Sequence, residues 1–196
     1  MTNSFFSRST FVVEQTRKLF EMRNQYRIFD ETGAEIATVE QVRQSWLTLL
    51  ARFGTDLDAT LPTTLEFRDS AGQLLVEMHK PWFKFTFDVT NGEGTALGSI
   101  RKQLRMGKAR FAITDPNGTD LGEVRADNWR AKDFTVLDQA GNEVAKTTKQ
   151  WRGLATEMFT DADTYVVSVQ PYASEPMRTL SVAAALSIDV VMKQKD

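Results

Sequence analysis

The densest chemical signal in the chain is a run of cations, Arg101-Lys102-x-x-Arg105-x-Gly107-Lys108-x-Arg110. Five basic residues fall within ten positions, with no acidic residue among them. Cations held this close suit an anionic surface or a small anionic ligand. Against an anionic bilayer each adds about 1 kcal/mol, so all five reach about 5 kcal/mol and a dissociation constant somewhat below millimolar. Charge alone therefore gives weak, reversible attachment. The same run also reads as a solvated hairpin face, and the residues by themselves leave both readings open.

Catalytic chemistry finds little to work with. The chain has one histidine, His79, and no cysteine, which removes thiolate catalysis, disulfides, zinc fingers, iron–sulfur ligation and palmitoylation. No G-x-S-x-G elbow or other nucleophile motif accompanies His79. In Met78-His79-Lys80-Pro81-Trp82 it stands where a strand is ending, and a partly exposed structural role is expected. Gly92-x-Gly94-x-x-x-Gly98 has the wrong spacing for a dinucleotide fingerprint and leads into the basic hairpin rather than a clear helix. The expectation is a protein that is not an enzyme and carries no cofactor.

Charge narrows the partners. Lys and Arg number 24 against 26 Asp and Glu, a net charge of -2, without the cationic excess of a dedicated nucleic-acid binder. Trp129-Arg130 and Lys149-Gln150-Trp151-Arg152 pair aromatics with charge, but rim packing is their expected role and no nucleic-acid partner is expected. The opening MTNSFFSRSTFVVEQTRK lacks the basic-then-apolar layout of a secretory signal, and a cysteine-free chain fits a reducing compartment. The expected location is the cytoplasm, where the Asn117-Gly118-Thr119 sequon goes unused.

The elements that carry these residues follow from a repeat. Four segments share the pattern apolar, any, apolar, any, Asp, two residues, Gly, two residues, aliphatic. They begin at Tyr26, Leu65, Phe111 and Phe134 and place Asp30, Asp69, Asp115 and Asp138 three residues before Gly33, Gly72, Gly118 and Gly141. Apolar residues at every second position put one strand face into a core. Asp then opens a turn through its side chain, and Gly supplies the positive φ that leaves it through a bulge. Each unit is a β-hairpin. Phe85-Thr-Phe87-Asp88, followed by Gly92 and Gly94, reads as a fifth, imperfect copy with a longer turn. Trp82, Trp129 and Trp151 recur ten or eleven residues after the turn glycines, which predicts packing on a common rim or core layer.

Five hairpins, with Phe11-Val12-Val13 and Tyr165 to Val169, give about twelve strands. Such a sheet closes on itself to remove open edges. With 196 residues and 13 Phe the whole chain, 1–196, is expected to be one barrel domain. Val42, Trp46, Leu49, Leu50 and Phe53 follow helical spacing and predict a short helix on the barrel, with continued strand as the alternative.

The last segment is of another kind. Ser174-Glu175-Pro176 reads as a helix start, with Ser174 as cap, and a helix is expected over 176–193. From Leu180 to Met192 it has no polar face, so it is buried either in protein or in lipid. A bilayer span needs about 20 apolar residues, and Asp189 in lipid costs roughly 3 kcal/mol. A helix threaded through a wide barrel suits the segment better.

A hairpin barrel around such a helix is the Tubby-like architecture, and the chain resembles its phospholipid scramblase and LURP-one-related branch. The resemblance rests on the D-x-x-G hairpins, Asn128-Trp129-Arg130, Phe134 to Asp138, Phe159 to Tyr165, and the ending Leu180 to Asp189. It implies a mainly β fold, a closed antiparallel barrel of about twelve strands around the C-terminal helix. It implies a role at membrane lipids, with anionic phospholipid headgroups, or another anionic small ligand, met at the cytoplasmic membrane face. A protein-interaction or scaffold module with no lipid role is the alternative. The family's calcium segment matches Asp161, Asp163 and Tyr165, a weak calcium candidate. Val167 offers only a backbone carbonyl and the final bidentate carboxylate is missing at Tyr172, so a turn entering a strand is the expected role of Asp161 and Asp163 and no metal is expected.

Overall fold

The computed structural model describes residues 5–16, 25–42, 62–82, 85–105, 108–128, 133–148 and 164–193. Twelve strands and one helix are described. The strands are β1 (Thr10–Thr16), β2 (Gln25–Phe29), β3 (Glu35–Gln41), β4 (Thr63–Asp69), β5 (Leu74–Lys80) and β6 (Thr86–Asn91). They continue with β7 (Ala96–Arg105), β8 (Lys108–Thr114), β9 (Asp120–Asn128), β10 (Asp133–Asp138), β11 (Glu143–Thr148) and β12 (Thr164–Val169). The helix, α1, spans Met177–Lys193. Each strand pairs antiparallel with its neighbours in sequence, and β1 pairs with β12 to close the ring, Phe11 facing Val167 and Val13 facing Tyr165. The closed twelve-strand barrel with a C-terminal helix is the architecture that the hairpin repeat and the apolar ending predict.

Period-two alternation fixes which residues enter the core. Ile28, Val39, Leu65, Phe67, Met78, Phe87, Ile100, Phe111, Ile113, Val124 and Phe134 are all buried around α1, and between them polar residues face outward. The turns do what their residues dictate. Asp115 accepts from the backbone N–H groups of Asn117 (2.9 Å) and Thr119 (2.7 Å), while Gly118 takes φ +86°. Open space surrounds the position where a Gly118 Cβ would stand. The glycine is therefore required by conformation and not by crowding.

One turn differs from expectation. The fifth hairpin turns at Asn91, not Asp88: Asn91 Oδ1 accepts from Glu93 N (3.0 Å) and Thr95 N (2.8 Å), and Gly94 takes φ +81°. Phe87-x-Val89-x-Asn91-x-x-Gly94-x-x-Leu97 is thus a full copy of the repeat with Asn for Asp. Asp88 is an outward residue of β6. The single amide oxygen accepts the same pair of N–H bonds without the charge.

That equivalence sets up a test. The Asp115 carboxyl is held below the usual carboxylate range by the Thr119 N–H first and the other turn donors after it. Asp138 is lowered in the same way, chiefly by Asn142. A carboxyl depressed in the folded state contributes stability that is complete above its unfolded value near 3.9 and disappears as pH falls through the folded value. Acid melts should therefore destabilise the wild-type chain more steeply below about pH 4 than the D115N/D138N variant. Parallel acid profiles for the two chains would remove these turns from the acid response.

Helix α1 runs up the barrel against β6, β7, β11 and β12, and every described side chain from Thr179 to Val190 is buried. Its start is capped differently from expectation. Thr179 N donates to the Glu175 carboxylate (3.3 Å), the role expected of the Ser174 hydroxyl. Small residues let it seat. At Gly98, on the inner face of β7, a Cβ would stand 3.1 Å from Leu180 Cδ1 and 2.2 Å from the Thr114 carbonyl oxygen. No helix among the described residues is long and apolar enough to cross a membrane.

Beneath α1, residues 5–9 cover the end of the barrel where the tight turns lie. Phe5 packs edge-on to Phe6 at 4.7 Å and against Phe11 at 5.3 Å. Arg178, buried in the first turn of the helix, ties the cover down. Its guanidinium donates to the carbonyls of Phe6, Ser7 (3.3 Å) and Arg8 (2.7 Å), and also to Gln170 (3.1 Å) and Ala173 (3.2 Å).

Candidate functional site

The two ends of the barrel differ in chemistry. All five hairpin turns lie at one end, which Arg178 and the two phenylalanines close. Strands β3, β5, β7, β9 and β11 run toward the other, the loop end, where the connections range from two residues after β7 to the long segments after β3 and β11. At this loop end the inward positions change from apolar to polar. Gln41 ends β3, Thr63 begins β4, Lys80 ends β5 and Thr147 lies one residue before the end of β11; all four are buried. Tyr26 donates to Asp189 of α1 (2.9 Å), and Tyr165 lies close enough to feel the same carboxylate. Burial first, and the Asp189 charge second, push the Tyr165 hydroxyl well above its ordinary value. Both causes favour the neutral hydroxyl over the phenolate.

Sequence reasoning missed Lys80 and the polar collar. Their signal was parity: Lys80 shares the inner face of β5 with Val76 and Met78. His79, by contrast, is where it was expected, exposed on β5 with Nδ1 3.0 Å from Thr64 Oγ1.

The basic run forms the β7–β8 hairpin at the loop end. Arg101 is exposed, in register with Thr86 on one side and Ala112 on the other. Lys102 is half-buried and opposite Phe111. Its N–H donates to the Phe85 carbonyl (2.8 Å), and its Nζ stands 5.4 Å from the centre of the Phe85 ring. Arg105 and Lys108 face each other in register where the hairpin closes; their side chains lie outside the described residues.

Arg110 is set apart from the others. Pairing of β8 with β9 brings Glu123 beside it, at 3.0 Å to Oε2, and Arg125 binds the same carboxylate. Partial burial works against the Glu123 charge, but Arg125 and Arg110 outweigh it and hold its carboxyl below the usual range. The stretch free of acids in sequence thus meets an acid in space, and Arg110 spends its charge on it.

Beside this hairpin, the connection between β5 and β6 exposes Trp82 (48%) and Phe85 (39%). Trp82 is at the rim, as its spacing predicted, but is half exposed where packing was expected. Trp129, Trp151, the Val42–Phe53 helix beyond Val42, Asp161 and Asp163 lie outside the described residues.

A twelve-strand antiparallel barrel threaded by an apolar C-terminal helix, with a cationic hairpin at its loop end, defines a narrow class of β-barrel proteins. The sequence matches the Scramblase family from residue 8 to residue 194, and the chain belongs to that family. It is 26% identical over 175 residues to "Altered inheritance rate of mitochondria protein 25" of Saccharomyces cerevisiae, covering 76% of this chain and 52% of that protein. The chain thus spans about half the length of that relative. In fold it is similar to the crystal structure of a protein from Arabidopsis thaliana, with a TM-score of 0.55 and 13% identity over 92% of this chain and 91% of the other.

Proposed function

We propose that this chain is a non-enzymatic, scramblase-like barrel that binds anionic phospholipid headgroups at the cytoplasmic face of a membrane. One observation carries the reading: the β7–β8 hairpin gathers Arg101, Lys102, Arg105 and Lys108 at the loop end, while Arg110 shares Glu123 with Arg125. Family membership supports a lipid-related role. The contact is electrostatic and peripheral. Four cations at about 1 kcal/mol each give about 4 kcal/mol, close to a thousandfold in partition.

Liposome flotation with phosphatidylcholine vesicles containing phosphatidylserine tests it. Replacing Arg101, Lys102, Arg105 and Lys108 by Gln is expected to lower binding by two to three orders of magnitude with the melt unchanged. The Arg110→Gln variant, whose partner is internal, should bind nearly as the wild type does. Wild-type binding should fall steeply with salt, because exposed charges are screened over about 8 Å at physiological ionic strength. Equal binding by the four-Gln variant would make the hairpin a solvated face. Absence of vesicle binding by the wild type would favour a protein-interaction module.

A further inference from the structure

Apolar exposure on the barrel is not scattered. Among the described residues, the large hydrophobic side chains left exposed are Val42, Trp82, Phe85 and Tyr172. Val42 directly follows β3, and Trp82 and Phe85 lie between β5 and β6, so three of the four stand at the loop end. Only Tyr172 belongs to the turn end, and its hydroxyl donates to the Glu143 carbonyl. The same rim carries Arg101 and Lys102 on the neighbouring strand, with the Lys102 ammonium over the Phe85 ring. The nearest β6 carboxylate, Asp88, sits farther from the rim than Thr86, opposite His79 and Ser99.

We propose that Trp82 and Phe85 are a membrane-insertion element: they enter the interfacial layer of an anionic bilayer while Arg101 and Lys102 engage the phosphates around them. The inference rests on the headgroup reading and adds to it the apolar half of the contact and the orientation of the barrel. Trp favours the boundary between headgroups and acyl chains, where its ring is wrapped in hydrocarbon and its N–H stays wet. Lys is suited to a position beside it, since its stem lies along apolar surface while its ammonium reaches the phosphate layer. A solvated rim has no use for exposed Trp and Phe. A protein partner could cover the aromatics, but the adjoining cations select a surface that is negative and apolar in the same few ångströms, which an anionic bilayer is. The barrel then docks loop end down, with the closed turn end facing away from the membrane.

The experiment compares three proteins on vesicles of phosphatidylcholine with phosphatidylserine: the wild type, W82A/F85A, and the four-Gln hairpin variant. Both aromatics are partly exposed, so W82A/F85A is expected to stay folded with a modest drop in melting temperature, well short of unfolding at the assay temperature. Wild-type fluorescence should shift to the blue on vesicles and be quenched by lipids brominated near the headgroup, with both responses much reduced in Trp82→Phe. W82A/F85A should bind about 10- to 100-fold more weakly, and what remains should be more salt-sensitive than the wild type. If W82A/F85A binds as the wild type does while the four-Gln variant does not, the insertion inference falls and the headgroup reading stands. If the wild type ignores vesicles, both fall. An unshifted Trp82 on bound protein would also overturn insertion, since the ring would then remain in water.

Discussion

A chain truncated before Leu180 is expected to form no folded barrel. The cut removes Leu180, Val182, Leu186, Ile188 and Val190, each of them buried. At about 1.5–3 kcal/mol per buried aliphatic side chain the loss is of the order of 10 kcal/mol. A domain's whole stability is typically about 5–15 kcal/mol. The strands cannot compensate, because their inner residues, Phe87 and Phe111 among them, would surround a void too wide for side chains to fill. Expression in inclusion bodies, or a soluble product without a cooperative thermal transition, is the expected result. The milder Leu186→Ala should stay folded and lose about 2–5 kcal/mol. A cooperative melt of the truncated chain would mean that the hairpins hold the ring without the helix.

Arg178→Ala should be a strongly damaging polar substitution among the described residues. The guanidinium supplies five backbone carbonyls, three from residues 6–8 and two from the segment joining β12 to α1. Buried carbonyls left without donors cost about 1–3 kcal/mol each, so even with water entering some of them a loss of about 3–5 kcal/mol is expected. Arg178→Lys keeps the charge but has a compact head that cannot span the same acceptors, and it should recover less than half of the loss. The two measurements are the melting temperature and protease access to residues 5–9, which should be released before the barrel unfolds. If R178A leaves both unchanged, the cover is held by Phe5 and Phe6 alone.

Much of this architecture was legible because the repeat couples two local rules. Alternation gave the strand faces, and the Asp and Gly positions gave the turns, so closure followed from the number of hairpins. The fifth turn was misread because the motif was sought with Asp, while Asn91 supplies the same acceptor. Arg178 was hidden for a different reason: nothing near it in sequence shows that the carbonyls it serves belong to the opposite end of the chain. Pairing of Arg110 with Glu123 likewise needs the β8–β9 register, which a hydrophobic pattern does not specify side chain by side chain. Lys80 was readable as inward by parity, but parity gives the face and not the height at which an interior turns polar. The partial exposure of Trp82 depends on its neighbours in space, and spacing alone could place it only at the rim.

The order of the elements along the chain has a consequence for biosynthesis. The ribosome delivers β1 first and α1 after every strand that will surround it, so the filling arrives after its container. Until then each finished hairpin has an apolar face with nothing to cover it, and β1 waits with an open edge for β12. Such species pair wrongly or aggregate, and contacts this remote in sequence form slowly. Hairpins can form one by one as they emerge, but the ring cannot close around its core during elongation. Final folding is therefore a step that follows synthesis of the helix, and the longer that step is delayed the longer the hairpins' apolar faces stay uncovered.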